Sequence, residues 1–153
     1  MQSEQLRGLI AFIGIVVQLI GSVLLAVLFS LLRQSIVRRS YFTLWSYAWL
    51  LMVVAIGTLL VRYNIVPNFD RRLVTDDSLV VRGLYFGYQY AKLAYYALLV
   101  CGTLMYAKGM RPERLLPPAL AATALYSLLS VSVSAQLDHI VVWQSPLAVG
   151  ALT

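Results

Sequence analysis

Apolar residues in this chain come in long runs, broken by short basic or turn-rich segments. Four runs, 8–32, 41–61, 83–107 and 115–135, are long enough to cross a hydrocarbon core of ~30 Å, which takes about 20 helical residues at ~1.5 Å each. None alternates strictly between polar and apolar, so the runs predict helices, which satisfy their own backbone groups in lipid, and not barrel strands. After Asp138 and His139 the segment 140–153 is apolar but too short to span. It is either a fifth helix cut off partway or a short interfacial or re-entrant end. The expectation is an all-α polytopic transmembrane bundle, four spans plus a partial fifth, forming one membrane domain over 1–153.

Composition strengthens that picture. The chain is 61% hydrophobic and 12% charged, with a mean hydropathy of +0.81, well beyond ordinary soluble domains. A formal net charge of +6 would suggest nucleic acid in a soluble protein. Here the Lys and Arg residues fall mostly in the segments between apolar runs, where they read as topology signals and lipid-headgroup contacts. The expected partners are therefore the bilayer and other transmembrane helices, with no nucleic acid. A leading apolar run can also be a cleavable leader. This one exceeds the ~7–15 residues of such a core, follows Glu4 and Arg7, and ends in Arg33, Arg38 and Arg39 like a stop-transfer signal. It is expected to be a retained helix.

Orientation follows from the basic turns. The first carries Arg33, Arg38 and Arg39, and the third carries Lys108, Arg111 and Arg114 against Glu113. Both should face the cytoplasm, with the N-terminus outside, in a bacterial inner membrane. The connection between Arg62 and Arg82 has four arginines, offset by Asp70, Asp76 and Asp77. Within it Asn64, Pro67 and Asn68 are turn residues, and Thr75, Asp76, Asp77 and Ser78 are candidate N-caps for the third helix.

Small and hydroxyl residues mark faces on which membrane helices approach closely. Gly14, Gln18, Gly21 and Ser22 form such a stripe on the first helix. Gly83, Gly87 and Ala91 repeat at fours on the third. Thr123, Ser127, Ser130 and Ser134 share a face of the fourth, after Pro117 and Pro118 in its first turn. No stripe contains an ionisable group, so helix packing is the expected role.

Lys92 is the exception. It lies about ten residues inside the third run, with Tyr85, Tyr88, Tyr95 and Tyr96 at helical spacing and Gln89 on the flank. A charge at that depth costs about 3 kcal/mol on insertion scales. One reading is a buried cation that holds an anionic or carbonyl ligand, or joins a signal-dependent rearrangement. The other is a lysine that snorkels to the outer headgroups among belt tyrosines. Trp45 and Trp49, one turn apart with Met52 and Ile56, are likewise either a contact for a bound group or belt and packing residues.

Several chemistries are missing. No carboxylate lies within a predicted span, so the usual proton relay of a pump is absent. His139 is the only histidine and Cys101 the only cysteine, which excludes bis-histidine haem ligation and a thiolate metal cluster within one chain. There is no phosphate loop, GxSxG, HExxH or CxxC. No catalytic residue, metal site or cofactor is expected, and the chain is expected not to be an enzyme in itself.

The stretch Arg38-Arg39-Ser40-Tyr41-Phe42-Thr43-Leu44-Trp45-Ser46-Tyr47-Ala48-Trp49 resembles the opening of the second helix in N-terminal membrane-sensing regions of bacterial diguanylate cyclases and sensor histidine kinases. Cys101-Gly102-Thr103-Leu104-Met105-Tyr106-Ala107-Lys108-Gly109 is similar to the Gly-containing ends of their later helices. The resemblance implies a non-catalytic sensor input whose helices shift on a stimulus. Such regions have more helices and a cytoplasmic output domain, neither of which appears in this sequence. The alternative is a small accessory subunit that packs against a larger membrane complex, energy-transducing or photosynthetic.

Overall fold

The computed structural model describes residues 2–35, 40–65, 78–109 and 114–133, and these are helical almost throughout. The helices are α1 (Gln2–Ser35), α2 (Ser40–Leu60, prolonged by a π-helical turn, Val61–Ile65), α3 (Leu79–Lys108) and α4 (Leu116–Val133). Each matches one apolar run, and each boundary moves for a local reason. α3 begins four residues before the apolar run does, because the Ser78 side chain accepts a hydrogen bond from the Val81 amide at 3.2 Å and caps the helix. It ends at Gly109, whose φ of 62° is the left-handed turn that glycine enters at least cost. The other candidate caps Thr75, Asp76 and Asp77, the turn residues Pro67 and Asn68, the basic residues Arg38, Arg39 and Arg111, and Ser134, His139 and the segment 140–153 lie outside the described residues.

Two helical stretches are long and apolar enough to cross a membrane, Leu9–Gln34 and Ser40–Asn64, and the apolar part of α4, Leu116–Ser132, is shorter. α3 has the length but not the hydropathy, since Arg82, Gln89, Lys92 and six tyrosines dilute its apolar residues.

Successive helices pack side by side. α2 and α3 form the most extensive pair, α1 lies against α2, and α4 lies against α3. The α2–α3 seam has a seven-residue rhythm on both sides. Ala48, Ala55 and Arg62 recur at sevens on α2, and Tyr88, Tyr95 and Gly102 recur at sevens on α3. The helices run antiparallel, so small residues meet large ones. Ala48 packs with Tyr95 and Leu98, and Ala55 packs with Tyr88 and Ala91. At the far end the sizes reverse, and the Trp45 indole lies over Gly102 so closely that a Cβ there would be 2.6 Å from Nε1. Phe29 of α1, Tyr41 of α2 and Tyr106 of α3 close around the same indole at ring separations of 5.5, 5.4 and 6.0 Å.

The exterior is apolar, and a few polar side chains lie among the buried apolar ones. The largest side chains with almost no exposure are Gln89, Val81 and Ser127, while Leu9, Ile13, Val17, Leu24, Leu125 and Leu129 are all more than half exposed.

Of the small-residue stripes, that on α1 is turned to its neighbour only at Ser22. Gly14 and Gln18 are exposed, and a Cβ on Gly14 or Gly21 would meet nothing within 4 Å, whereas Ser22 and Ala26 are buried against α2. The packed face of α1 runs through Ser22, Ala26 and Phe29, of which Phe29 meets the Trp45 indole at 5.5 Å. On α3, Gly83 is likewise open, Gly87 touches only Thr58 at 3.7 Å from its would-be Cβ, and Ala91 is buried. On α4, Ser127 is buried, while Thr123 and Ser130 are half-buried. All three hydroxyls donate to carbonyls of their own helix at 2.8, 2.7 and 3.0 Å, on Leu120, Thr123 and Ser127 respectively, which satisfies them without a partner helix.

Candidate functional site

The polar interior is built along the face of α3 that turns from α2 toward α4. About two turns of that helix place Tyr85, Tyr88, Gln89 and Lys92 there, because residues at spacings of three and four share a face. Lys92 follows the start of α3 by thirteen residues, so it sits about 20 Å along a helix about 45 Å long. That is deeper than the sequence suggested, since the helix starts earlier than the apolar run.

Lys92 Nζ donates to the Tyr88 hydroxyl at 3.0 Å, and the same ammonium lies 5.3 Å from the centre of the Tyr88 ring. Tyr88 is buried against Ala55, which holds the phenol, and through it the lysine, against α2. The other three tyrosines serve other contacts. Tyr95 packs edge-on against Trp49 at 5.3 Å. Tyr96 leans on Tyr95 at 5.1 Å and lines an apolar groove of about 420 Å³ between α3 and α4, together with Cys101, Thr123 and Tyr126. Tyr85 turns to a second cation, Arg62.

Arg62 was placed by the hydropathy pattern in a solvated connection, and the structure corrects that. It belongs to the π-helical turn that extends α2, is only 7% exposed, and stacks its guanidinium 5.8 Å from the rings of both Tyr63 and Tyr85. The signal for it was present, because Arg62 continues the Ala48–Ala55 series at sevens. Gln89, fully buried, lies between the Tyr85 and Lys92 levels. Among the described residues the only acidic one is Glu4, at the start of α1. Two cations therefore stand on phenol rings, Arg62 at the end of α2 and Lys92 in the middle of α3. A ring face stabilises a cation by about 0.5–2 kcal/mol, which is less than the cost of placing one at mid-membrane depth.

Trp45 and Trp49, though one turn apart, part company. Trp45 belongs to the aromatic cluster at the basic end and Trp49 to the Tyr95 contact nearer the middle. The start of α2 and the end of α3 come together, since Tyr41 and Tyr106 are 5.3 Å apart. Arg33, Lys108 and Arg114 are accordingly exposed at one end of the molecule. Among the described residues there is no group of three His, Cys, Asp or Glu side chains that could hold a metal. No family model, curated protein or solved structure matches this chain.

Proposed function

We propose that this chain is a membrane-embedded module of four spans, N-terminus outside in a bacterial inner membrane, acting as the non-catalytic input region of a signalling protein. The observation that carries this is Lys92, a cation near the middle of α3, bonded to one buried phenol and, among the described residues, with no carboxylate beside it. Its free donor capacity suits an anionic or carbonyl group on an apolar molecule. Such a ligand would compete for the Lys92–Tyr88 contact, and Tyr88 packs directly on α2, so occupancy would be transmitted to the α2–α3 seam. The apolar exterior supports the membrane setting, and the gathering of Arg33, Lys108 and Arg114 at one end supports the orientation.

In a Cys101→Ala background, a cysteine at Ser40 is expected to react with an impermeant maleimide only after the cells are permeabilised, and one at Asn64 in intact cells. Both positions are exposed. The reverse pattern would invert the topology.

The ligand reading is tested with the purified chain in nanodiscs, titrated with decanoate and, as a control with the same tail and no charge, decanol. Decanoate is expected to raise the unfolding midpoint and to change Trp fluorescence in the wild type, and to do neither in Lys92→Met. Equal responses to decanol, or an undiminished response in Lys92→Met, would rule out a ligand role for Lys92 and leave snorkelling.

The second reading, an accessory subunit of a larger membrane complex, is favoured by one observation. Gly14 and Gln18 form an uncovered face on α1, and a carboxamide facing lipid gains from a hydrogen-bonding partner helix.

A further inference from the structure

At the basic end of the molecule, α1 and α2 diverge around a cavity of about 610 Å³ lined by Ser30, Arg33, Gln34, Ser40 and Thr43. All five are polar, none is acidic, and each helix supplies a pair at a spacing of three: Ser30 with Arg33, and Ser40 with Thr43. Residues three apart share a helix face, so both pairs are directed across the same opening. Ser30 and Thr43 are half-buried at its floor, and Arg33, Gln34 and Ser40 are exposed at its rim. The first turn of α2 also ends here, and its leading amides have no acceptor within the helix. A guanidinium, two serines, a threonine and a carboxamide are the donor set of an oxyanion site, and arginine matches phosphate through two parallel N–H bonds.

The depth of the cavity narrows the ligand further. The two stretches able to cross a membrane end at Gln34 and begin at Ser40, so the cavity lies at the level where hydrocarbon gives way to headgroups. We propose that this cavity binds a phosphate oxyanion, with Arg33 as its charge partner and Ser40 and Thr43 as hydroxyl donors. The oxyanion is supplied either by the headgroup of an anionic phospholipid or by free phosphate. The lipid source rests on the membrane reading above, whereas the phosphate chemistry does not.

The test uses the full chain in a maltoside micelle, which carries no phosphate, with short-chain phosphatidylglycerol and inorganic phosphate as separate probes and retained adducts read by native mass spectrometry. Wild type is expected to hold one phosphatidylglycerol. Arg33→Gln is expected to weaken it roughly tenfold, and Thr43→Val, a nearly isosteric change that spares the fold, roughly threefold. Arg114→Gln, at the same end but outside the cavity, is expected to change nothing. If inorganic phosphate displaces the lipid, the oxyanion alone is recognised. If the lipid binds with the Arg33 dependence and phosphate does not displace it, the acyl chains belong to the ligand. If phosphate binds and the lipid does not, the oxyanion site stands and its membrane source falls. The proposal is overturned if neither probe binds, if Arg33→Gln and Thr43→Val both match wild type, or if Arg114→Gln weakens binding as much as Arg33→Gln.

Discussion

Trp45→Ala is expected to destabilise the folded bundle by about 3–5 kcal/mol, as removal of a large packed aromatic does. The indole joins three helices, with Phe29 of α1 at 5.5 Å, Tyr106 of α3 at 6.0 Å and Gly102 of α3 beneath its nitrogen edge. No other described side chain makes ring contacts to both outer neighbours of α2. The same contact predicts a change of sign elsewhere. Gly102→Ala should cost about 1–3 kcal/mol by overpacking, even though alanine is favoured over glycine in a helix by about 1 kcal/mol. The clash wins because the atom at 2.6 Å is part of an indole wedged between Phe29, Tyr41 and Tyr106, and it cannot swing aside. In the Trp45→Ala background the clash is gone, so Gly102→Ala should become neutral or stabilising. A double-mutant cycle of denaturation in mixed micelles reads this directly. Strictly additive losses would mean that the indole does not rest on Gly102.

Lys92→Leu is expected to raise the insertion of an isolated α3 segment by about a hundredfold in a translocon assay. A lysine at the helix centre costs about 2.5–3.5 kcal/mol and a leucine contributes about −0.5 kcal/mol, so the exchange is worth about 3 kcal/mol. Wild-type α3 falls short of the hydropathy of a free-standing span, and Lys92 sits near its middle. It should therefore insert poorly alone and well when α2 precedes it, because Ala55 then gives Tyr88 a packed seat from which to hold the ammonium. If Lys92→Leu leaves insertion of the isolated segment unchanged, Lys92 does not lie in the hydrocarbon and α3 is not a simple span.

How much of this was legible beforehand varies by residue. The four helices follow from run length, and Ser78 was among the candidate caps because serine at the edge of an apolar run satisfies the first free amides. The stripe of Gly14, Gln18, Gly21 and Ser22 pointed to one buried face, of which the folded chain buries Ser22 and leaves Gly14 and Gln18 exposed. Small residues permit close approach without requiring it, and the bulk of Phe29 and Trp45 decided how α1 lies on α2. The tyrosines around Lys92 shared a spacing but not a use. Spacing places side chains on a face, whereas a neighbour at the right height, Ala55 for Tyr88 and Trp49 for Tyr95, determines what each one touches. Arg62 was hidden by its charge, which marks loop residues in a hydropathy profile.

The sequence by itself determined the four described helices and their approximate ends, because each is a local property of hydropathy and capping. Tertiary structure alone decided which faces are inside. Antiparallel packing of α2 on α3 set alanines against tyrosines and Trp45 against Gly102. It drew Arg62 under Tyr85 and gave Lys92 a single phenol. These outcomes depend on matching sizes across two helices far apart in the chain, and no periodicity within one helix contains that information.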